Sequence, residues 1–248
     1  MNTTVDTIVA PDSRKACQAA ADVLRDTVRA AVASVGGASL AISGGATPRG
    51  MHRLLARPPY VAAIPWGRLH LFWADERLVG YEDPASNYGA ARADFIGSLP
   101  QAPGGVHPVP VHGDGKAMAL LYEEEIGKHF RQRDHLEPDF DGVFLGLGSD
   151  GHTASLFPAS PVLSEQRRWT AAVRGGEPDV ERVTLTYAIL NRARRIVFLV
   201  TGESKAAVVR HVLTDASPVL PAQRIRPHAG RMTWVLDRAA AAMLENID

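Results

Sequence analysis

Short apolar runs rich in β-branched and aromatic residues alternate along this chain with longer segments patterned at helical spacing, and that alternation leaves few folds open. Residues 39–42, 70–73, 142–147, 183–186, 196–201 and 233–236 read as strands, several of them almost entirely apolar. Residues 13–34, 48–56, 87–98, 116–133, 204–213 and 238–245 read as helices. Parallel strands need crossover connections, and both faces of such a sheet must be covered. The pattern therefore predicts an α/β layered fold around a mostly parallel sheet. Local punctuation agrees: Pro48 fits the first turn of its helix, with Thr47 before it as the expected N-cap. At 248 residues the chain can form one large α/β unit, and its Pro- and Gly-rich loops, 102–115 and 175–179, are too short to serve as linkers. One compact domain over residues 1–248 is expected.

With 27 basic and 27 acidic residues, the chain offers no electrostatic reason for a nucleic-acid or anionic-membrane partner. Any anion must be held locally. The single Cys17 rules out an internal disulfide and fits a reducing compartment. The opening MNTTVDTIVAPDSRKA lacks the basic start and apolar run of a secretory signal, and no stretch approaches the ~20 apolar residues of a membrane span. A soluble, cytoplasmic protein is expected, monomeric or weakly dimeric.

In open α/β sheets, ligands bind beyond the carboxyl ends of the strands, and there the polar clusters of this sequence lie. The first is SGGATP, Ser43 to Pro48, where Gly44 and Gly45 let the backbone approach a ligand and a helix N-terminus favours an anion. The same turn also arises for purely geometric reasons. The second is the stretch from Asp75 through Glu76 and Arg77 to Tyr88; Arg77 can clamp a phosphate or carboxylate, or the three charges can simply pair in solvent. In the third, a buried-type strand runs into Gly146, Gly148 and Gly151, a tight loop that exposes Asp150 and His152. Histidine suits acid-base work near neutral pH, and Asp150 is placed to orient it or to contact a ligand. The fourth comprises Arg182 and TGESKAAVV, in which Lys205 falls in a first helical turn. With Arg77 and the Gly44-Gly45 loop, these cations compose a phosphate pocket.

Other chemistries find less support. A GxSxG elbow is missing, no GxGxxG follows the first strand, and His107, His112, His129 and His135 lack HExxH spacing, so neither a nicotinamide cofactor nor a metal is expected.

Taken together, the blocks resemble the 6-phosphogluconolactonase family, part of a superfamily with glucosamine-6-phosphate deaminases and ribose-5-phosphate isomerases. SGGATP is similar to the family's SGGSTP with Ala46 for Ser; ADERLV followed by SNY resembles its D-E-R and S-N blocks; GSDGHTASLFP and TGESK are similar to its D-G-H-x-x-S-L-F-P and T-G-x-x-K blocks. The resemblance runs from the Ser43 loop to the WVLDRAAA ending, and the chain departs from it where residues 175–181 lack a Lys-Pro-Pro run. It implies a Rossmann-like three-layer sandwich and a cofactor-free hydrolysis of 6-phospho-D-glucono-1,5-lactone to 6-phospho-D-gluconate, the second step of the oxidative pentose phosphate pathway. His152 would activate the water, with Asp75 as its catalytic companion. Ser43, Gly44, Gly45, Thr47, Arg77, Asp150, Gly151, Arg182 and Lys205 would bind the substrate and its phosphate.

Two rivals are weighed against it. An amino-sugar-phosphate isomerase or deaminase of the superfamily carries Glu five residues after the histidine, where this chain has Phe157, and Asp-Glu-Tyr where it has Asp75-Glu76-Arg77. A non-catalytic sugar-phosphate sensor would need the cations and not the base, yet His152 is retained.

Overall fold

The computed structural model describes residues 4–133, 137–215 and 219–244. The chain runs β1 (Thr4–Ala10), α1 (Ser13–Val35), β2 (Ala38–Ile42), α2 (Ala46–Leu55), α3 (Tyr60–Ala63), β3 (Leu69–Trp73), β4 (Asp75–Arg77), α4 (Asn87–Asp94) and β5 (Gly105–His107). It continues through α5 (Gly115–Arg131), β6 (Gly142–Leu145), β7 (Thr170–Gly175), β8 (Val180–Leu185), α6 (Tyr187–Leu190), β9 (Arg195–Val200), α7 (Ala206–Thr214) and β10 (Arg231–Asp237).

Seven strands form one sheet in the order β1-β10-β9-β6-β2-β3-β5, every pair parallel. Helices pack on both sides, as the alternation predicts. Central β2 and β6 are buried at every residue, which is why they read as mostly apolar runs, whereas edge strand β1 is partly exposed. Helix α1 starts at Asp12, whose side chain accepts from the Lys15 amide, and stops at Gly36 in the left-handed conformation. It buries Ala16, Ala20, Leu24 and Val28, a stripe spaced by four whose small members bring the helix close to the sheet. The core includes Trp66, Trp73, Tyr122, Phe140 and the stacked pair Phe198 and Trp234, with ring centres 4.1 Å apart. Burying each such side chain contributes about 2–3 kcal/mol.

A second sheet, β4-β8-β7, is antiparallel and carries site residues on a three-residue strand. Strands β1, β4, β5 and β7 were not expected from the sequence pattern. Three expected features also differ. Residues 238–244 form turns instead of a helix, because the Asp237 side chain accepts from the Ala240 amide and mixed three- and four-residue bonds do not propagate. Gly45, at φ 101°, is the N-cap of α2, and Thr47 lies inside its first turn. Lys205 closes a 3-10 turn, Glu203–Lys205, and precedes α7. Among the described residues, no helix is long and apolar enough to cross a membrane.

Candidate active site

The sheet order reverses between β2 and β6: from β2 the chain moves outward to β3 and β5, and from β6 it moves the other way to β9 and β10. Loops leaving these two neighbours diverge and open a crevice at the strands' carboxyl ends. A cavity of about 280 Å³ occupies it, near the lower end of small-molecule sites at ~300 Å³.

One wall is the loop Ser43-Gly44-Gly45. A Cβ at Gly44 would collide with Oδ1 of Asn87, and Gly45 holds a positive φ, so both positions require glycine. The Ser43 amide donates to the Phe144 carbonyl at 3.0 Å, tying the loop to β6. Beyond it, Thr47 Oγ1 lies 3.1 Å from Thr201 Oγ1, at the end of β9.

The second wall is the small sheet. Arg77 on β4 and Arg182 on β8 are register partners, and both line the cavity. Like charges directly opposite one another are unfavourable on a sheet unless an anion is to lie between them. Arg182 is almost fully buried; its Nε donates to the Gly175 carbonyl at 2.7 Å and Nη2 to the Pro178 carbonyl at 3.0 Å. Residues 175–181, which depart from the family run, are thus held by the arginine itself. Burial pulls Arg182 below its ordinary pKa; Asp75 opposes this and Arg77 adds to it. Arg77 donates from Nη1 to the Ala85 carbonyl and to Oδ1 of Asn87. Among the described residues, its buried Nε finds no partner, nor does the buried Oγ of Ser43. Two polar atoms without partners beside a cavity await a ligand. Lys205 completes the cationic lining, and burial lowers its pKa.

Two carboxylates lie between these cations. Asp75 lines the cavity and accepts from Ser155 Oγ at 2.6 Å and from Asn87 Nδ2 at 3.3 Å, which fixes the orientation of its carboxylate. Glu76 is fully buried and accepts from the amides of Arg77, Asn87 and Tyr88 and from Ser86 Oγ. Burial pushes it up and those amides counter in part. It fixes the turn that delivers Asn87 to the site.

His152 stands at the mouth, half-buried. Its Nδ1 lies 2.6 Å from Oδ1 of Asp150, which also accepts from the His152 amide at 3.1 Å. A Cβ at Gly148 would strike the imidazole, so the glycine makes room for it. Phe157 packs 4.8 Å from the His152 ring and lies under the Arg182 guanidinium at 5.5 Å. It fills the place between the imidazole and the guanidinium.

Of the residues singled out from sequence, Ser43, Gly44, Gly45, Thr47, Asp75, Arg77, His152, Arg182 and Lys205 line the one cavity. Asp150 sits outside it, exposed at the rim. Gly151 does not line it; at φ 81° its Cα packs against Leu220 and shapes the loop. Asn87 and Ser155, which hold Asp75 and Arg77, were not singled out, though both lie within the quoted blocks.

Comparison with known proteins shows the family. The profile of the family described as glucosamine-6-phosphate isomerases/6-phosphogluconolactonase matches residues 11–234. The chain is 38% identical over 218 residues to a 6-phosphogluconolactonase of Synechocystis sp., covering 86% of this chain and 88% of that one. It is likewise 38% identical over 213 residues to a human 6-phosphogluconolactonase, covering 83% and 80%. The solved 6-phosphogluconolactonase of Trypanosoma cruzi superposes with a TM-score of 0.86 at 29% identity, covering 99% of each chain.

Proposed function

Because the chain belongs to the glucosamine-6-phosphate isomerase/6-phosphogluconolactonase family, we propose that it hydrolyses 6-phospho-D-glucono-1,5-lactone to 6-phospho-D-gluconate in the oxidative pentose phosphate pathway, with His152 activating the water. The observation that carries this reading is the pairing of an oriented imidazole with a cavity lined by Arg77, Arg182 and Lys205.

In the proposed cycle, Asp150 holds Nδ1–H of His152, which leaves Nε2 as the base. Nε2 takes a proton from water as its oxygen bonds to the lactone carbonyl carbon. The carbonyl oxygen becomes an anion, which the cationic lining stabilises. The bond to the ring oxygen then breaks, and His152 returns its proton to that oxygen as it becomes a hydroxyl. The acid formed loses its proton to solvent. Ser43 Oγ and Arg77 Nε, both without partners among the described residues, are placed to meet phosphate or oxyanion. In this reading the enzyme works in the cytoplasm.

Lactone disappearance tests the proposal, with substrate generated in place from glucose 6-phosphate and followed above its spontaneous hydrolysis. Fast turnover lost in His152→Ala is expected. Binding of 6-phosphogluconate without turnover by the wild type would make the chain a sensor; ammonia release from glucosamine 6-phosphate would make it a deaminase. Phe157, filling the space beside the base, speaks against the deaminase.

A further inference from the structure

Outside the cavity, three histidines converge where edge strand β5 and its neighbour β3 meet α5. His70 lies on β3, His107 ends β5, and His129 is near the end of α5. His70 Nδ1 is 3.0 Å from His107 Nε2, and one nitrogen from each of the three rings falls within 4.8 Å of the others. Their ring centres form a triangle with sides of 5.3, 4.4 and 5.3 Å. None of them lines the lactone cavity.

We propose that His70, His107 and His129 form a binding site for a divalent transition-metal ion of the zinc class, distinct from the active site. Three imidazoles with a water at the fourth position is a donor set that suits zinc. Tetrahedral coordination with metal-nitrogen distances of ~2.0–2.1 Å places the nitrogens roughly 3.3 Å apart. The His70–His107 spacing already approaches this, and a nitrogen of His129 lies within 4.8 Å of both.

The surroundings fit metal ligation as well. Glu125 Oε1 lies 2.7 Å from the outer nitrogen of His107, the carboxylate-histidine arrangement that fixes a ligand's tautomer and turns its other nitrogen toward an ion. Phe72 stacks on the His107 ring at 4.2 Å and 4°, which sets the plane of that ring. Ser39 Oγ is 2.7 Å from Nε2 of His129. Gly105, register partner of His70, carries no side chain, and a Cβ there would strike both His70 Nδ1 and His107 Nε2. Both His70 and His107 keep some exposure, so an ion can reach them from solvent. Bound there, it would cross-link the short edge strand β5 to the sheet and to α5.

The test is titration of chelator-treated, untagged protein with zinc by calorimetry, and with cobalt by its visible absorption. One ion per chain is expected, with a cobalt spectrum of low-coordinate type and a zinc-dependent rise in Tm. Binding should be lost in His70→Ala and His107→Ala, weakened about tenfold in Glu125→Gln, and unchanged in His152→Ala. Gly105→Ala, which forces the two imidazoles apart, serves as a second route should a histidine variant fail to fold, and it too should lose the ion. No stoichiometric binding by the wild type, or binding that survives both histidine substitutions, or binding lost only in His152→Ala, would overturn the proposal.

Discussion

Arg77 and Arg182 stand directly opposite each other on adjacent antiparallel strands, both facing one cavity. Each is anchored by carbonyl oxygens, so neither can swing away from the other. Removing the anchored charge of Arg77 should lower kcat/KM about 10²- to 10³-fold, the usual cost of one donor to developing negative charge. Arg182→Lys should also be impaired, because a single ammonium replaces neither fork contact. Inorganic phosphate should inhibit the wild type competitively and Arg77→Ala much less. An unchanged phosphate inhibition constant in that variant would remove Arg77 from the anion site.

Burial pushes the Asp150 carboxyl up, but the bonds it accepts from His152 outweigh this and hold it below the usual carboxylate range. Asp150 therefore stays charged along the acid limb, and the fall in kcat/KM with decreasing pH should follow one proton. Asp150→Asn should cost roughly ten- to a hundredfold in kcat, less than His152→Ala at about 10²- to 10⁴-fold, because an exposed carboxylate is partly screened. A two-proton acid limb in the wild type would refute this assignment.

Gly44→Ala should disable the site at a distance from any charge. The added methyl meets Oδ1 of Asn87, the residue that positions both Arg77 and Asp75. Activity should fall at least about tenfold, with stability reduced by about 1–3 kcal/mol for the displaced packing. Gly80→Ala, where a Cβ meets nothing within 4 Å, is the matched control and should behave as wild type. Equal activity in both variants would dissolve the link from Gly44 through Asn87.

Stability should be acid-sensitive through His52, which is buried and, among the described residues, has no hydrogen-bond partner on either nitrogen. Burial pulls its pKa from 6.5 down to about 4. Its contribution is fully present above the unfolded value of 6.5 and is lost as pH falls toward about 4, because the unfolded chain takes up a proton that the fold refuses. Over that window the loss is about 3 kcal/mol, at roughly 1.4 kcal/mol per pH unit. Urea denaturation of wild type and His52→Leu at about pH 7 and pH 5 checks it. The variant should lose less stability than wild type on acidification, and parallel losses would sink the assignment.

The centre of the major sheet was legible because its strands are buried on both faces and therefore mostly apolar, whereas edge strands β1 and β5 were not; α1 was legible from its fourfold stripe and its polar edge. Of the small sheet only its middle strand, β8, was legible. Strand β4 is Asp-Glu-Arg, a composition that argues for solvent, and its extended form rests on pairing with β8 and on Glu76 gathering amides from residues up to twelve positions away. The histidine cluster escaped for a similar reason. His107 and His129 gave no motif spacing, and His70, the partner that completes the set, belongs to a different strand; His135 lies outside the described residues. The lining of the cavity was readable from its blocks, whereas the parts played by Asn87 and Ser155 depend on which carboxylate they reach.

Strand β1 pairs in parallel with β10 along its whole length, from Thr4 beside Arg231 to Ala10 beside Asp237. Strand β1 leaves the ribosome long before β10 and waits for it to gain its neighbour, and β9 keeps a bare flank until the same moment. Translation that stalls before Arg231 leaves two unsatisfied strand margins on one nascent chain, an adhesive intermediate that molecular chaperones would have to shield.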